Sequence, residues 1–254
     1  MKERLGQQHK GVLLPAGLIL GFMGLTAVFG LPQKRLQSHL EHNRLLWQKY
    51  LPLLLSKQSK AEKPLPWIER QDELGDFAYG LHRSFFSRLL LGGRDLCAKE
   101  NACEVIAVYN ALLALQREQV PDLPGLLSEF EKKGISFGGY FGTSFHAICR
   151  FFSLRGYEPQ IYRGRKITPQ ILEKGEAEGV KACILMTENH AGHIKEMVHT
   201  ICISREEDWQ EGQRSQKWRA HNDYEGSRIS SSLTEAVMGY HQAAGRPLGV
   251  IFLF

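Results

Sequence analysis

Residues 103–115, Cys-Glu-Val-Ile-Ala-Val-Tyr-Asn-Ala-Leu-Leu-Ala-Leu, constrain this chain more than any other run. Wound as a helix, they set Val105, Val108, Tyr109 and Leu112 on one face and Ile106 and Leu113 on another. A helix that is apolar on most sides has to be buried, so the rest of the chain must wrap around it. Its first residue is Cys103. A helix N-terminus carries unpaired N–H groups and a partial positive charge, which bias a thiol set there toward thiolate, the nucleophilic form. The stretch from Asn101 to Asn110 is therefore the first place to look for chemistry.

The segments that follow begin as helices. Leu123–Lys133 reads as a second helix stopped by Gly134. The glycine-rich run 137–144 then enters a third, with Thr143 or Ser144 as N-cap and Phe145, Ile148, Cys149 and Phe152 as its apolar stripe. No Gly-Lys-Ser/Thr follows, so this is not a phosphate loop. The glycine-rich stretch 138–142 is a candidate cleft loop, because glycine lets a substrate backbone approach closely. Beyond residue 157 the period changes. Strands are expected at 158–162, 180–186, 198–204, 217–222 and 249–254, with helices at 168–178 and 233–243. Helices first and mostly strands afterwards predict an α+β domain, one sheet packed on the helical part.

The N-terminus has a different character. Residues 11–31 carry no charge and are almost wholly apolar, and at 1.5 Å per residue they reach about the ~30 Å of a bilayer core. Basic residues flank both sides, Lys2, Arg4 and Lys10 before and Lys34, Arg35 and Arg44 after, so the positive-inside count does not settle orientation. The basic tail favours an anchored chain with its main domain outside the cytoplasm. A cleaved signal peptide is the alternative. Residues 34–60 read as an amphipathic helix running to Pro52, a stalk or a packing arm, and 57–66 as a linker. The expected organisation is a membrane anchor or signal segment at 1–33, a stalk and linker at 34–66, and a catalytic domain at 67–254.

Composition removes some classes. The net charge of +5 is mild for 254 residues, and no stripe alternates basic and aromatic residues, so a nucleic-acid partner is not expected. Cys97, Cys103, Cys149, Cys183 and Cys202 form no disulfide framework by spacing, though up to two pairs and a free thiol are compatible with five cysteines. His190 and His193, with His199 and Glu188 or Glu196, have the residue types of a zinc site. They fall in a glycine-containing loop without a His-Glu-x-x-His helix, and solvated loop histidines explain them better. No cofactor and no metal are expected.

The residues that suit Cys103 lie in the strand half. Alternation groups His199 with Ile201 and Ile203. If that face packs on the helical layer, His199 points toward Cys103. The next strand ends at Asn222-Asp223. A cysteine, then a histidine at a strand start, then an amide or carboxylate at the end of the next strand is the order a thiol hydrolase needs. The histidine takes the thiol proton, and the third group fixes its tautomer.

These runs carry a resemblance. Asn101-Ala-Cys-Glu-Val-Ile-Ala-Val-Tyr-Asn-Ala-Leu112 resembles the catalytic helix of papain-like cysteine peptidases of the C39 type, the bacteriocin-leader-processing peptidases and their stand-alone relatives. Val198-His199-Thr-Ile-Cys-Ile203 looks like their histidine strand, and Asn222-Asp-Tyr-Glu-Gly226 is similar to their Asp-Pro-x-x-Gly turn. Gly142-Thr143-Ser144 running into a helix also fits their pattern, and the match covers roughly residues 90–254. The resemblance implies a papain-like fold, in which a buried catalytic helix packs on an antiparallel sheet. It also implies hydrolysis of peptide or protein substrates by Cys103 as nucleophile, His199 as base and acid, and Asn222 as orienting group. The oxyanion would be held by the Cys103 N–H and an upstream side-chain amide.

The chain departs from that family in three places. Cys97 stands where the family has Gln, leaving Asn101 as the nearby amide. Glu104 follows the cysteine where Gly is common, and its charge raises the thiol pKa unless it turns to solvent. Asp223 competes with Asn222, which is set first because its offset from Gly226 matches the turn. A papain-like domain that has lost catalysis and grips a peptide or protein is the alternative function, and acyl transfer or deamidation is a third.

Overall fold

The structure, a computed structural model, describes residues 33–57, 65–80, 97–116, 119–135, 142–188, 198–210, 213–223, 228–244 and 246–254. The apolar segment 11–31, the glycine run up to residue 141, His190, His193, Glu196 and Tyr224-Glu225-Gly226 lie outside the described residues. Among the described residues no helix is long and apolar enough to cross a membrane.

The expected buried helix is present with its expected ends. Helix α3 (Cys103–Leu115) follows α1 (Gln33–Lys57) and the single turn α2 (Ala98–Asn101), and every residue of α3 from Cys103 to Ala114 is buried. Helices α4 (Leu123–Lys133) and α5 (Phe145–Ser153) come next. Ser144 caps α5 by accepting the Ala147 N–H at 3.1 Å. The strand half then runs β1 (Gln160–Arg163), α6 (Pro169–Ala177), β2 (Ala182–Glu188), β3 (Val198–Gln210), β4 (Gln213–His221), β5 (Ile229–Ser230), α7 (Leu233–Ala244) and β6 (Pro247–Leu253).

The six strands form one antiparallel sheet in the order β1-β6-β2-β3-β4-β5, so the fold is α+β. Strands β2 and β6 are nearly continuous apolar runs because both of their faces are covered. Helices cover both faces of the sheet, whereas a single helical layer is the expectation from sequence. Ile184, Met186, Cys202, Ile251 and Leu253 pack into the same cluster as α3, α4 and α5. Cys183, Leu185, Ile201, Ile203, Val250 and Phe252 pack instead with Leu172 of α6 and Leu233, Val237 and Tyr240 of α7. The amphipathic stripes of α6 and α7 need a partner surface, and the second sheet face supplies it.

Helix α1 is packed into the α3 side of the core by Trp47 and Leu54, and it runs through Pro52 to Lys57. The side chain of Asn43 brackets Ala78, donating to its carbonyl at 2.9 Å and accepting its N–H at 2.8 Å. All five cysteines are free thiols.

Candidate functional site

The site is built where the first turn of α3 meets the start of β3. Cys103 is 7% exposed, and the backbone N–H of Thr200 lies against its sulfur. The thiol also donates to the carboxyl of Glu104. Burial first, and then the Glu104 charge, push the Cys103 thiol well above its usual range, against the pull of Thr200. The bias toward thiolate expected at a helix N-terminus is therefore overridden. Desolvation of the sulfur and a carboxylate at contact outweigh a partial dipole charge.

Glu104 does not turn to solvent. It is 5% exposed, and burial raises its pKa to about 7 although its own N–H, the Thr143 N–H and the Cys103 thiol all favour the charged form. Its Oε2 atom has no hydrogen-bond partner. Gly142, with a left-handed φ of 60°, lies against that carboxyl so closely that a Cβ would come within 2.5 Å of Oε2. Thr143 is buried, and its hydroxyl bonds the Tyr79 hydroxyl. Gly142 and Thr143 thus line the Glu104 carboxyl.

His199 is buried, and its Nε2 lies 2.7 Å from the main-chain carbonyl of Asn222. Burial lowers its pKa to about 4, with the Asn222 carbonyl opposing, so the ring is neutral at pH 7. Within β3, Thr200 meets Cys103 and Cys202 joins the α3 cluster, whereas Ile201 and Ile203 belong to the α6–α7 cluster. By alternation His199 shares the Ile201 face, so the face expected to meet the helix of Cys103 meets α6 and α7. The thiol meets Thr200, and the imidazole is that of the preceding residue on the other face of β3; each has a partner of its own, Glu104 for the thiol and the Asn222 carbonyl for the ring.

Asn222 follows β4 in a left-handed backbone conformation, φ 64°. Its side-chain amide is turned to Gln71 instead of His199. Its Oδ1 accepts the Gln71 N–H at 2.8 Å, and its Nδ2 donates to Gln71 Oε1 at 3.2 Å. Asp223, the competitor for the third role, is 3% exposed and pairs with Arg228 at 3.1 Å. Asn101, the last residue of α2, is 7% exposed. Cys97 is half-buried and bridges Ala78. Among the described residues no group of three or more His, Cys, Asp or Glu is arranged to hold a metal ion.

Two participants have no signal in the sequence. Gln71 stands far upstream of Cys103, and its Nε2 donates to the carbonyls of Ala98 and Lys99 at 3.2 and 2.8 Å, tying it to α2. A second chain of polar groups joins Ser204 Oγ to His221 Nε2 at 2.7 Å and His221 Nδ1 to Glu69 Oε1 at 3.0 Å. This has the atom order of a serine relay, but Ser204 is 1% exposed within a strand paired on both sides and His221 is 0% exposed, so it ties the core together. No family model, no curated protein and no solved structure matches this chain.

Proposed function

We propose that this chain is a cysteine peptidase of papain-like, C39-type layout, tethered to a membrane by residues 11–31. The observation that supports the reading is the adjacency of Thr200 and His199 at the start of β3. The first residue of the buried helix touches Thr200, and the neighbouring His199 bonds Asn222 at the end of the next strand. Cysteine, histidine and asparagine stand in the chain order that thiol hydrolysis uses, with the thiol and the imidazole on opposite faces of β3 at rest.

In the proposed reaction the Cys103 proton passes to the imidazole of His199, and the sulfur attacks the peptide carbonyl carbon. The C–N bond breaks as the imidazolium returns the proton to the leaving amine. Water then cleaves the thioester and restores the thiol. The Cys103 N–H, at the first position of α3, is the natural donor to the oxyanion. In the resting arrangement Glu104 holds the thiol proton, and substrate must displace that contact and the thiol and imidazole must meet around the end of β3 before His199 takes it.

One observation favours a second reading, a domain that grips a peptide without cutting it. Glu104 is buried against the thiol, and the imidazole has its own partner. The two readings separate on the pH dependence of Cys103 alkylation by iodoacetamide, followed by peptide mass spectrometry in wild type and His199→Ala. A peptidase labels well below the ordinary thiol pKa of ~8.5 and loses that labelling in the variant. Slow labelling in both proteins overturns the peptidase and leaves the binding module.

A further inference from the structure

We propose that the main-chain carbonyl of Asn222, not its amide, orients His199, and that Gln71 is the positioning residue that holds this carbonyl in place. The purpose of the arrangement rests on the thiol-hydrolase reading; its geometry does not.

A carbonyl oxygen can only accept, so the 2.7 Å contact requires the proton of the neutral ring to sit on Nε2. Nδ1 then carries the lone pair, and it is the basic atom of the ring. In the side-chain arrangement implied by the resemblance, an asparagine amide oxygen would do the same job. Here that oxygen is occupied by the Gln71 N–H, and the amide nitrogen by Gln71 Oε1.

The two amide contacts explain why a carbonyl can serve. Asn222 is the one described non-glycine residue with positive φ, a conformation that costs an L-residue energy and that asparagine tolerates better than most. Turned that way, its carbonyl faces His199. The reciprocal Gln71–Asn222 pair offsets the strain, and Gln71 is itself fixed to α2 through Ala98 and Lys99. Both residues are buried, so water does not compete for these bonds. The clamp thus links α2, which leads into Cys103, to the orientation of His199, the residue before the Thr200 that meets Cys103.

The test uses the full chain, labelled with ¹⁵N on histidine. Long-range ¹H–¹⁵N spectra at pH 7 read the His199 tautomer, its signals assigned by their loss in His199→Gln. The expected result is the Nε2-protonated form in wild type. Gln71→Ala should give a mixture of tautomers and slow Cys103 alkylation about fivefold or more, because the left-handed turn loses its support. Asn222→Gly has no amide, yet adopts positive φ without strain and keeps the carbonyl. It should therefore retain the Nε2-protonated ring, and it should rescue Gln71→Ala to within about twofold of wild type when the two are combined.

An Nδ1-protonated ring in wild type overturns the proposal. So does an Asn222→Gly chain that loses the tautomer, since that result would return the orienting role to the amide. If the tautomer responds as stated while Cys103 labelling never depends on His199, the clamp stands and the peptidase reading falls.

Discussion

The imidazole of His221 lies flat on the indole of Trp67, ring centroids 4.1 Å apart and planes 15° from parallel. The contact seals a strap, residues 65–71, over the end of β4. Within it Asn110 of α3 brackets Ile68 through both backbone groups, Tyr109 reaches the Pro66 carbonyl, and Glu69 meets His221. Because His221 is wholly buried, its far nitrogen depends on Ser204. Ser204→Ala strands that nitrogen away from water, and a buried group left unsatisfied costs about 1–3 kcal/mol. Urea unfolding should show a loss in that range with the m-value unchanged, whereas a loss under about 0.5 kcal/mol would mean the relay contributes nothing to the strap.

Glu104 and His199 shape the pH dependence of stability in opposite senses. Glu104 titrates at about 7 in the fold against 4.5 for a free side chain, so the native state binds the extra proton and stability falls as pH rises through that interval. His199 titrates at about 4 against 6.5, so the unfolded state binds the extra proton and stability rises with pH there. Each shift corresponds to about 3 kcal/mol, and the two offset each other in wild type. Glu104→Gln should therefore gain stability relative to wild type as pH goes from 4.5 to about 8, and His199→Gln should lose it from about 4 to 6.5. Denaturation midpoints across that range give both difference curves; a Glu104→Gln curve parallel to wild type rules out a buried, titrating Glu104.

Most of the fold is legible in the sequence because its elements carry strong local signals. Cys103–Leu115 is apolar all round and leaves no choice but burial, and the Gly134 stop and Ser144 cap mark helix ends by chemistry that acts within a turn of the chain. The two-residue strand Ile229–Ser230 is too short to show a period. Pro52 reads as a terminus, yet α1 continues past it, because a helix packed by Trp47 and Leu54 tolerates the lost N–H on its exposed side. The site is legible as residue order only. Which face His199 takes depends on α6 and α7 covering the second side of the sheet, and the partner of Asn222 is Gln71, whose position in the chain bears no spacing to any motif. Such long-range pairings leave no periodic trace.

Gly142 is required twice over. Its φ of 60° is one that residues with a Cβ adopt at a cost, and an added Cβ would fall 2.5 Å from one Glu104 oxygen and 2.7 Å from the other. The carboxyl, packed beside Cys103, has little room to retreat. Gly142→Ala should therefore destabilise the domain by about 2 kcal/mol or more, and it should also change Cys103 alkylation, because the thiol's acceptor has been moved. Gly164→Ala provides the comparison, since it too has positive φ, 52°, but nothing within 4 Å of the added Cβ. If thermal melting and labelling respond alike in the two variants, the effect is strain alone and the Gly142–Glu104 contact has no bearing on the thiol.

Asn43 docks α1 by satisfying both backbone groups of Ala78, which also bridges Cys97. Asn43 is 1% exposed and Ala78 7%, so removing the amide leaves a donor and an acceptor without water. Asn43→Ala should cost about 2–6 kcal/mol, summing two unsatisfied groups, while Leu45→Ala on the exposed side of the same helix should stay within about 0.5 kcal/mol. Hydrogen exchange gives a local readout independent of global stability. The Ala78 amide should lose its protection in Asn43→Ala, while amides in the α3 interior, such as Val108, keep theirs under conditions where exchange proceeds by local opening. Retained protection at Ala78 would show that the other α1 contacts, Trp47 and Leu54 in the core and His39 against Glu131, hold the helix, and that the Asn43 amide follows the docking rather than directing it.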